Sequence, residues 1–234
     1  MKDLSIILPA FQKGRVLEKV LNLLFDSFKE AEIIVIDDNS SDNTLEIVKN
    51  IQNNFLNLKY FKNEKNYGKG YSLKKGILMA SRKYVIFTDA DLPYGLEGIE
   101  KIYQKLKEGS KIVIGKRVKY FKDPFLRKIT RPILYFSLKL ILKLKYQDTQ
   151  CGLKGFSQEI AQKIFSLSFI NRFAIDIEIL YLASLLKIPV EEIEVEIKNF
   201  DKSSTFHLKD FFQMFFDILK IKFHHYEIQD IEFR

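Results

Sequence analysis

The chain has 234 residues, 47% hydrophobic and 29% charged, with a formal net charge of +8 and one cysteine, Cys151. That apolar fraction excludes a disordered or fibrous chain, the length suits one large domain with a full core, and a lone cysteine excludes an intrachain disulfide. The basic excess is local: ten Lys and Arg fall between Lys116 and Lys145 against one acid, Asp123. Such a block suits anionic headgroups or a phosphorylated substrate, and with no nucleic-acid-binding module in the chain no nucleic acid is expected as partner.

In chain order, Leu4–Leu8 reads as a strand and Val16–Ser27 as an amphipathic helix. Glu32–Ile36 is a second strand, followed by a helix over Asp42–Asn54 with Asp42 as a candidate N-cap. Leu58–Phe61, Tyr84–Thr88 and Lys111–Ile114 are further strands, separated by helices over Lys69–Ser81 and Glu97–Glu108. The strand segments are short, β-branched and almost continuously apolar, the pattern of parallel strands covered on both faces. This alternation predicts right-handed βαβ units: an α/β fold with a mostly parallel sheet flanked by helices.

The second half departs from that rhythm. Phe125–Tyr146 reads as one long helix with Phe125, Ile129, Ile133, Phe136, Leu140 and Leu144 on one face, flanked by Arg127, Lys128, Arg131, Lys139, Lys143 and Lys145. Asp148–Phe156 reads as a loop, Asn171–Lys187 as a helix, Val190–Ile197 as a strand and Leu208–His224 as a last helix with a narrow polar stripe of Lys209, Gln213, Asp217 and Lys220. Leu4–Leu8 is too short for the apolar core of a secretory leader, and no run of 18 uncharged apolar residues occurs, so no membrane span is expected. The two late helices instead read as lying in a membrane surface or packing on the core or a partner subunit.

Ligands of parallel sheets bind beyond the carboxyl ends of the strands. The first strand ends in Leu8-Pro9-Ala10-Phe11, the second in Ile36-Asp37-Asp38-Asn39-Ser40-Ser41-Asp42 and the fourth in Thr88-Asp89-Ala90-Asp91. Two carboxylates in an Asp-x-Asp can converge on a hard cation such as Mg²⁺ or Mn²⁺. Gly68 and Gly70 flank Lys69 at a helix start, where backbone can approach an anion. Arg117 follows Gly115 at the end of the fifth strand, on the same side of the sheet. Asp176 and Glu178 stand two apart on a helix, so at most one faces the cleft. His207, His224 and His225 have no metal-ligand spacing.

Leu8-Pro9-Ala10-Phe11, Val35-Ile36-Asp37-Asp38-Asn39-Ser40-Ser41-Asp42, Asn66-Tyr67-Gly68-Lys69-Gly70 and Asp89-Ala90-Asp91 together resemble family 2 glycosyltransferases. More narrowly they resemble the polyprenyl- and dolichyl-phosphate sugar synthases, and Asp148-Thr149-Gln150-Cys151-Gly152-Leu153-Lys154-Gly155-Phe156 resembles the dolichyl-phosphate β-glucosyltransferase branch. The resemblance spans about residues 4–205. It implies a GT-A fold over residues 1–206, followed by an amphipathic helix and tail over 207–234. It also implies inverting transfer of a hexose from a nucleotide sugar (UDP-glucose first, GDP-mannose second) to a polyprenyl or dolichyl phosphate. The protein would then be peripheral at the cytoplasmic face of a membrane, with a second copy or a membrane protein as further partner.

The resemblance also implies roles. Pro9, Phe11 and Asp37, with Asp38 beside them, would hold the base and ribose; Asp89 and Asp91 would carry Mg²⁺ or Mn²⁺. Lys69 and Arg117 would contact phosphates, and Lys202 to Ser204 would form a basic loop over the donor. Asp176 and Glu178 fall near the acceptor side, with Asp148, Gln150 and Lys154 in an acceptor-side loop. Two departures stand out: the family's Asn-Glu after the aromatic is Gln12-Lys13 here, and Pro93 stands where some relatives have a Gln metal ligand.

A phosphate acceptor brings its own nucleophilic oxygen, since a phosphate monoester has a second pKa near ~6. A hydroxyl of a polysaccharide, glycolipid or protein would instead need a dedicated base. A non-catalytic nucleotide-sugar-binding protein would tolerate loss of Asp89 or Asp91.

Overall fold

The computed structural model of the chain describes residues 1–53, 55–118, 132–198 and 208–228. Seven strands form one sheet: β1 (Leu4–Ala10), β2 (Glu32–Asp37), β3 (Leu58–Lys62), β4 (Tyr84–Phe87), β5 (Ile112–Arg117), β6 (Lys154–Ser157) and β7 (Val190–Val195). Their order is β3-β2-β1-β4-β6-β5-β7. All neighbours pair in parallel except β6, which runs antiparallel between β4 and β5. The helices are α1 (Gly14–Ser27), α2 (Thr44–Gln52), α3 (Lys69–Met79), α4 (Gly95–Lys107), α6 (Gln158–Leu167), α7 (Ile175–Leu185) and α8 (Leu208–Phe223), with α5 described over residues 132–142.

Side-chain alternation along the strands builds two cores. Ile6, Leu8, Ile33 and Val35 pack on one side with Leu17, Leu21 and Leu24 of α1, Val48 of α2 and Ile99 and Ile102 of α4. Ile7, Ile34 and Ile36 face the other side, against Leu73 and Ile77 of α3, Ile164 of α6, Leu180 of α7 and Ile218 and Ile221 of α8. The C-terminal helix therefore shares the core of the sheet domain. The continuously apolar strands are those covered on both faces, as parallel pairing requires.

Three sequence expectations change. The expected loop over Asp148–Phe156 runs into β6, whose first residue, Lys154, is fully buried; a buried Lys in a four-residue strand carries no strand signature, and its partners come from elsewhere in the fold. Helix α6 is a further element that sequence patterning did not assign. The long helix expected over Phe125–Tyr146 ends earlier: Leu138–Leu142 is a π-helical turn, and Lys143, at φ 57, terminates it.

Helix α5 also carries two apolar faces. Leu134, Leu138 and Leu142 are buried, while Ile133, Phe136 and Leu140 point outward. Phe125 and Ile129 lie outside the described residues. On α8, Asp217 is buried and accepts hydrogen bonds from Gln213 and Lys220, whereas Phe212, Phe216 and Phe223 are exposed. The narrow polar stripe is partly inward, and the helix presents phenylalanines to its surroundings.

Candidate active site

The carboxyl ends of β1, β2 and β4 come together through the register that pairs Ala10 with Asp37 and Ile7 with Phe87. Beyond β1, Phe11 is exposed and Gln12 adopts φ 53, with its N–H donated to Ser40 Oγ. Pro9 sits within β1, half-buried beside Ile36. Asp37 is buried; its carboxylate accepts from the Ser40 N–H at 2.8 Å and the Tyr60 hydroxyl at 2.7 Å. Asp38 accepts from the N–H groups of Tyr67 and Gly68 and from Asn63. It thereby ties the loop that carries Lys69 to the end of β2.

Gly68, at φ 104, and Gly70 do not leave open backbone for a ligand, as the sequence had suggested. A Cβ on Gly68 would lie 2.6 Å from the Asn171 carbonyl, and one on Gly70 would overlap the Ile170 carbonyl. The Tyr71 N–H donates to that same Asn171 carbonyl. These glycines admit the 170–172 segment, which braces the start of α3.

Lys69 then reaches the acidic turn after β4. Its Nζ lies 3.0 Å from Asp89 Oδ1 and 3.1 Å from Asp176 Oδ2, at the start of α7. The other oxygen of Asp176 is 2.6 Å from Lys154 Nζ, whose ammonium also donates to the Cys151 carbonyl. An alternating row of charges runs from buried to exposed: Lys154, Asp176, Lys69, Asp89. Burial alone would raise the Asp176 carboxyl, but the Lys154 and Lys69 ammonium groups outweigh it and hold it below the usual carboxylate range. Burial disfavours the Lys69 ammonium too, yet Asp176 and Asp89 keep it firmly charged.

Asp91 pairs with Lys13 Nζ at 3.2 Å. Gly152 packs on the first aspartate of the pair so closely that a Cβ there would overlap the Asp89 carboxylate. Asp89 and Asp91 thus offer two hard carboxylate oxygen sets at one turn. Among the described residues no cluster of three or more His, Cys, Asp or Glu surrounds them. This donor set fits a divalent ion that takes its remaining ligands from a diphosphate and water.

On the β5 side, Arg117 forms a bidentate pair with Asp148, Nε to Oδ2 at 2.6 Å and Nη2 to Oδ1 at 2.7 Å. Burial works against the Arg117 charge, and Asp148 more than restores it. Behind them, Tyr94 accepts from the Gly152 N–H, and burial next to Asp148 pushes the Cys151 thiol up to about 11. Gln150 reaches Met214 of α8.

The structure brings Lys69, Asp89, Asp91, Asp176 and Lys154 together, with Arg117 and Asp148 joined on the neighbouring strand end. It does not bring Glu178 there. That carboxylate is buried on the other side of α7, accepting from the Phe169 and Ile170 N–H groups and the Tyr226 hydroxyl. Lys154, expected in an acceptor-side loop, lies buried behind Asp176. Lys202 and Ser204 lie outside the described residues. Sequence reasoning missed Lys13, Tyr94, Gly152 and Tyr226 as site or supporting residues. Lys13 left a signal as the basic residue at a departure from the family pattern, and Gly152 as a member of the Asp148–Phe156 stretch.

The model of the glycosyl transferase family 2 matches residues 5–165. A dolichyl-phosphate beta-glucosyltransferase of Dictyostelium discoideum is 33% identical over 94% of this chain and 74% of its own length. Those of Drosophila melanogaster and Homo sapiens are 30% and 28% identical, covering 74% and 75% of the relatives. A crystal structure of glucosyl-3-phosphoglycerate synthase from Mycobacterium tuberculosis, in complex with Mn²⁺, UDP and glucosyl-3-phosphoglycerate, superposes with a TM-score of 0.70 at 16% identity, covering 93% of this chain and 77% of that one. The sheet order, the clustered strand ends and these matches agree: the chain belongs to glycosyl transferase family 2, as a glycosyltransferase with the GT-A fold.

Proposed function

We propose that the chain transfers glucose from UDP-glucose to the phosphate of a dolichyl or other polyprenyl phosphate, with inversion, at a membrane surface. The observation that carries this reading is the state of Asp176. It is the acidic side chain brought beside the Asp89–Asp91 turn, it is nearly buried, and both its oxygens are held by ammonium groups. A carboxylate held below its ordinary range is a poor proton acceptor. A hydroxyl acceptor needs such a base; a phosphate monoester, ionised near neutrality, does not. The names of the relatives point to the same acceptor and sugar.

The reaction is then a single displacement. An acceptor phosphate oxygen attacks the anomeric carbon of glucose, the bond from that carbon to the diphosphate breaks, and its electron pair leaves on UDP. No proton needs to move through the protein. The task of the chain is positioning and charge control. Phe11 offers an aromatic face to the base, with Pro9 and the buried Asp37 framing that pocket and Asp38 fixing the loop behind it. Lys69, locked between Asp89 and Asp176, presents a fixed positive charge beside the diphosphate. Arg117, oriented by Asp148, supplies a second on the acceptor side with Gln150 nearby. Asp89 and Asp91 would hold Mg²⁺ or Mn²⁺, which supplies charge neutralisation on the departing diphosphate. Two solved structures of the mycobacterial synthase carry Mn²⁺ or Mg²⁺ with UDP, which supports the same pairing here. Lys202 and Ser204 remain assigned to a basic loop over the donor by resemblance.

Membrane contact is assigned to the outward faces of α5 and α8. Phe136 and Leu140 are 65% and 82% exposed, and Phe223 is 81% exposed. Lys139, Lys143 and Lys145 on one side and Lys220 and Lys222 on the other are exposed around them. No described helix is long and apolar enough to cross a membrane. Apolar faces ringed by lysines suit an in-plane position, with lysines at headgroup level. The positive charge favours the anionic cytoplasmic leaflet.

The test is transfer of radiolabel into the organic phase from UDP-glucose or GDP-mannose, with Mg²⁺ and a polyprenyl phosphate in detergent. Label from UDP-glucose, lost in Asp91→Ala, is the expected result. Label from GDP-mannose alone would overturn the sugar assignment, and no label from either would overturn the acceptor class.

A further inference from the structure

The exposed aromatic side chain beyond β1 stands on a turn that needs support. Phe11 is 46% exposed, and the residue after it, Gln12, holds φ 53. That left-handed conformation is unfavourable for a residue with a side chain and persists only where its surroundings hold it. The support comes from Ser40, beyond the end of β2, whose Oγ accepts the Gln12 N–H at 2.8 Å. Ser40 is fixed in turn through its backbone. Its N–H donates to Asp37 Oδ1 at 2.8 Å, and its carbonyl accepts from Lys62 Nζ at 2.9 Å. The other oxygen of Asp37 accepts the Tyr60 hydroxyl at 2.7 Å. Tyr60 and Lys62 both lie on β3, the next strand of the sheet. A chain of contacts therefore runs from β3 through Asp37 and Ser40 to the turn that carries Phe11.

We infer that Ser40 is a positioning residue for the nucleotide base, an inference that rests on the reading of Phe11 as the aromatic partner of that base. Ser40 fixes the Gln12 turn and, through it, the direction in which Phe11 presents its ring. Asp37, at 0% exposure, serves the base from behind, by holding Ser40. A turn without this support would let the Phe11 ring sample several orientations, and each binding event would have to order it. A held turn presents the ring already in place, which raises affinity without any added contact to the ligand.

The inference is tested by calorimetric titration of UDP, with Mn²⁺ present, into the full chain and into Ser40→Ala, Phe11→Ala and the double variant. Ser40→Ala removes the hydroxyl and leaves the backbone contacts to Asp37 and Lys62. It is expected to weaken UDP binding about fivefold, the effect of one lost hydrogen bond. Phe11→Ala is expected to weaken UDP at least as much. Adding Ser40→Ala to Phe11→Ala is expected to change nothing further, because the ring that Ser40 orients is gone. In Ser40→Ala the KM for UDP-glucose should rise with the Kd for UDP while kcat holds, a split that general loosening of the fold would not give. Full UDP affinity in Ser40→Ala, with Phe11→Ala weakened, would overturn the inference and leave the reading of Phe11 standing. Additive losses in the double variant would also overturn it, since Ser40 would then act by a route other than Phe11. Full affinity in Phe11→Ala would overturn the reading of Phe11 and this inference with it. Circular dichroism of each variant confirms that the fold is intact.

Discussion

Lys154 Nζ lies 2.6 Å from Asp176 Oδ1, with the lysine side chain wholly buried and the aspartate 5% exposed. This contact closes the inner end of the charge row that reaches Asp89 through Lys69. Removing one partner of a buried ion pair leaves the other uncompensated, at a cost of about 3–5 kcal/mol. Lys154→Met should therefore lower the melting temperature by roughly 6–20 °C, given about 2–4 °C per kcal/mol for a domain of this size. Differential scanning calorimetry checks it. A shift under ~2 °C would show that Asp176 does not depend on Lys154.

Loss of the acidic turn should be felt in chemistry more than in folding. Asp89 and Asp91 lie at the rim, 38% and 19% exposed in their side chains. Asp91→Asn is expected to lower kcat/KM by on the order of 10²–10³, the range for one removed electrostatic group at a reacting charge, while the melting temperature stays within a few degrees. A variant as active as the parent would remove this turn from the mechanism.

The parts of the site that lie on strand ends were legible in sequence. A continuous apolar run ending in Asp37-Asp38 or in Asp89-Ala90-Asp91 marks both the strand and its carboxyl end. The buried supports were not. Lys154 reads as a loop residue because nothing local shows that Asp176, 22 positions later, and the Cys151 carbonyl satisfy its ammonium. Gly68 and Gly70 pointed to close backbone approach correctly, but the partner is the 170–172 segment, identifiable only once α7 is folded against α3. β6 was invisible for a related reason: its antiparallel place between β4 and β5 is a tertiary outcome that four residues do not encode alone.

Tyr226 links the end of the chain to the site through one carboxylate. Its hydroxyl donates to Glu178, which also accepts the Phe169 and Ile170 N–H groups and so fixes the segment that braces Gly68 and Gly70. His224 stacks on Phe169 with ring centroids 4.0 Å apart. Tyr226→Phe deletes one buried hydrogen bond and should cost about 1 kcal/mol, seen as a small fall in melting temperature. It should also raise the KM for the donor more than it lowers kcat, because the Lys69 turn loosens. An unchanged KM would separate the C-terminal segment from the site.

At the amino end of β2, opposite the strand end that carries Asp37, Glu32 is buried and bonded to Ser5, Ser81 and Lys59. Burial raises its carboxyl, but Lys59, Ser5 and Ser81 together bring it down to about 2. A depressed folded pKa stabilises the protein above the unfolded value, near 4.5, and that contribution is lost as pH falls from there towards 2. Stability measured by urea denaturation should therefore decline across that interval, and Glu32→Gln should flatten the decline. An identical pH slope in the variant would contradict this role.

A phosphate acceptor needs no base from the protein, whereas a hydroxyl acceptor does. The most direct test offers the enzyme dolichyl phosphate and dolichol side by side, with UDP-glucose and Mg²⁺, and measures glucosylated lipid formed from each. β-linked glucosyl phosphate is expected from dolichyl phosphate and none from dolichol, with activity rising as the acceptor phosphate ionises near pH ~6. Transfer to dolichol at a comparable rate, lost in Asp176→Asn, would make Asp176 a base and contradict the phosphate acceptor.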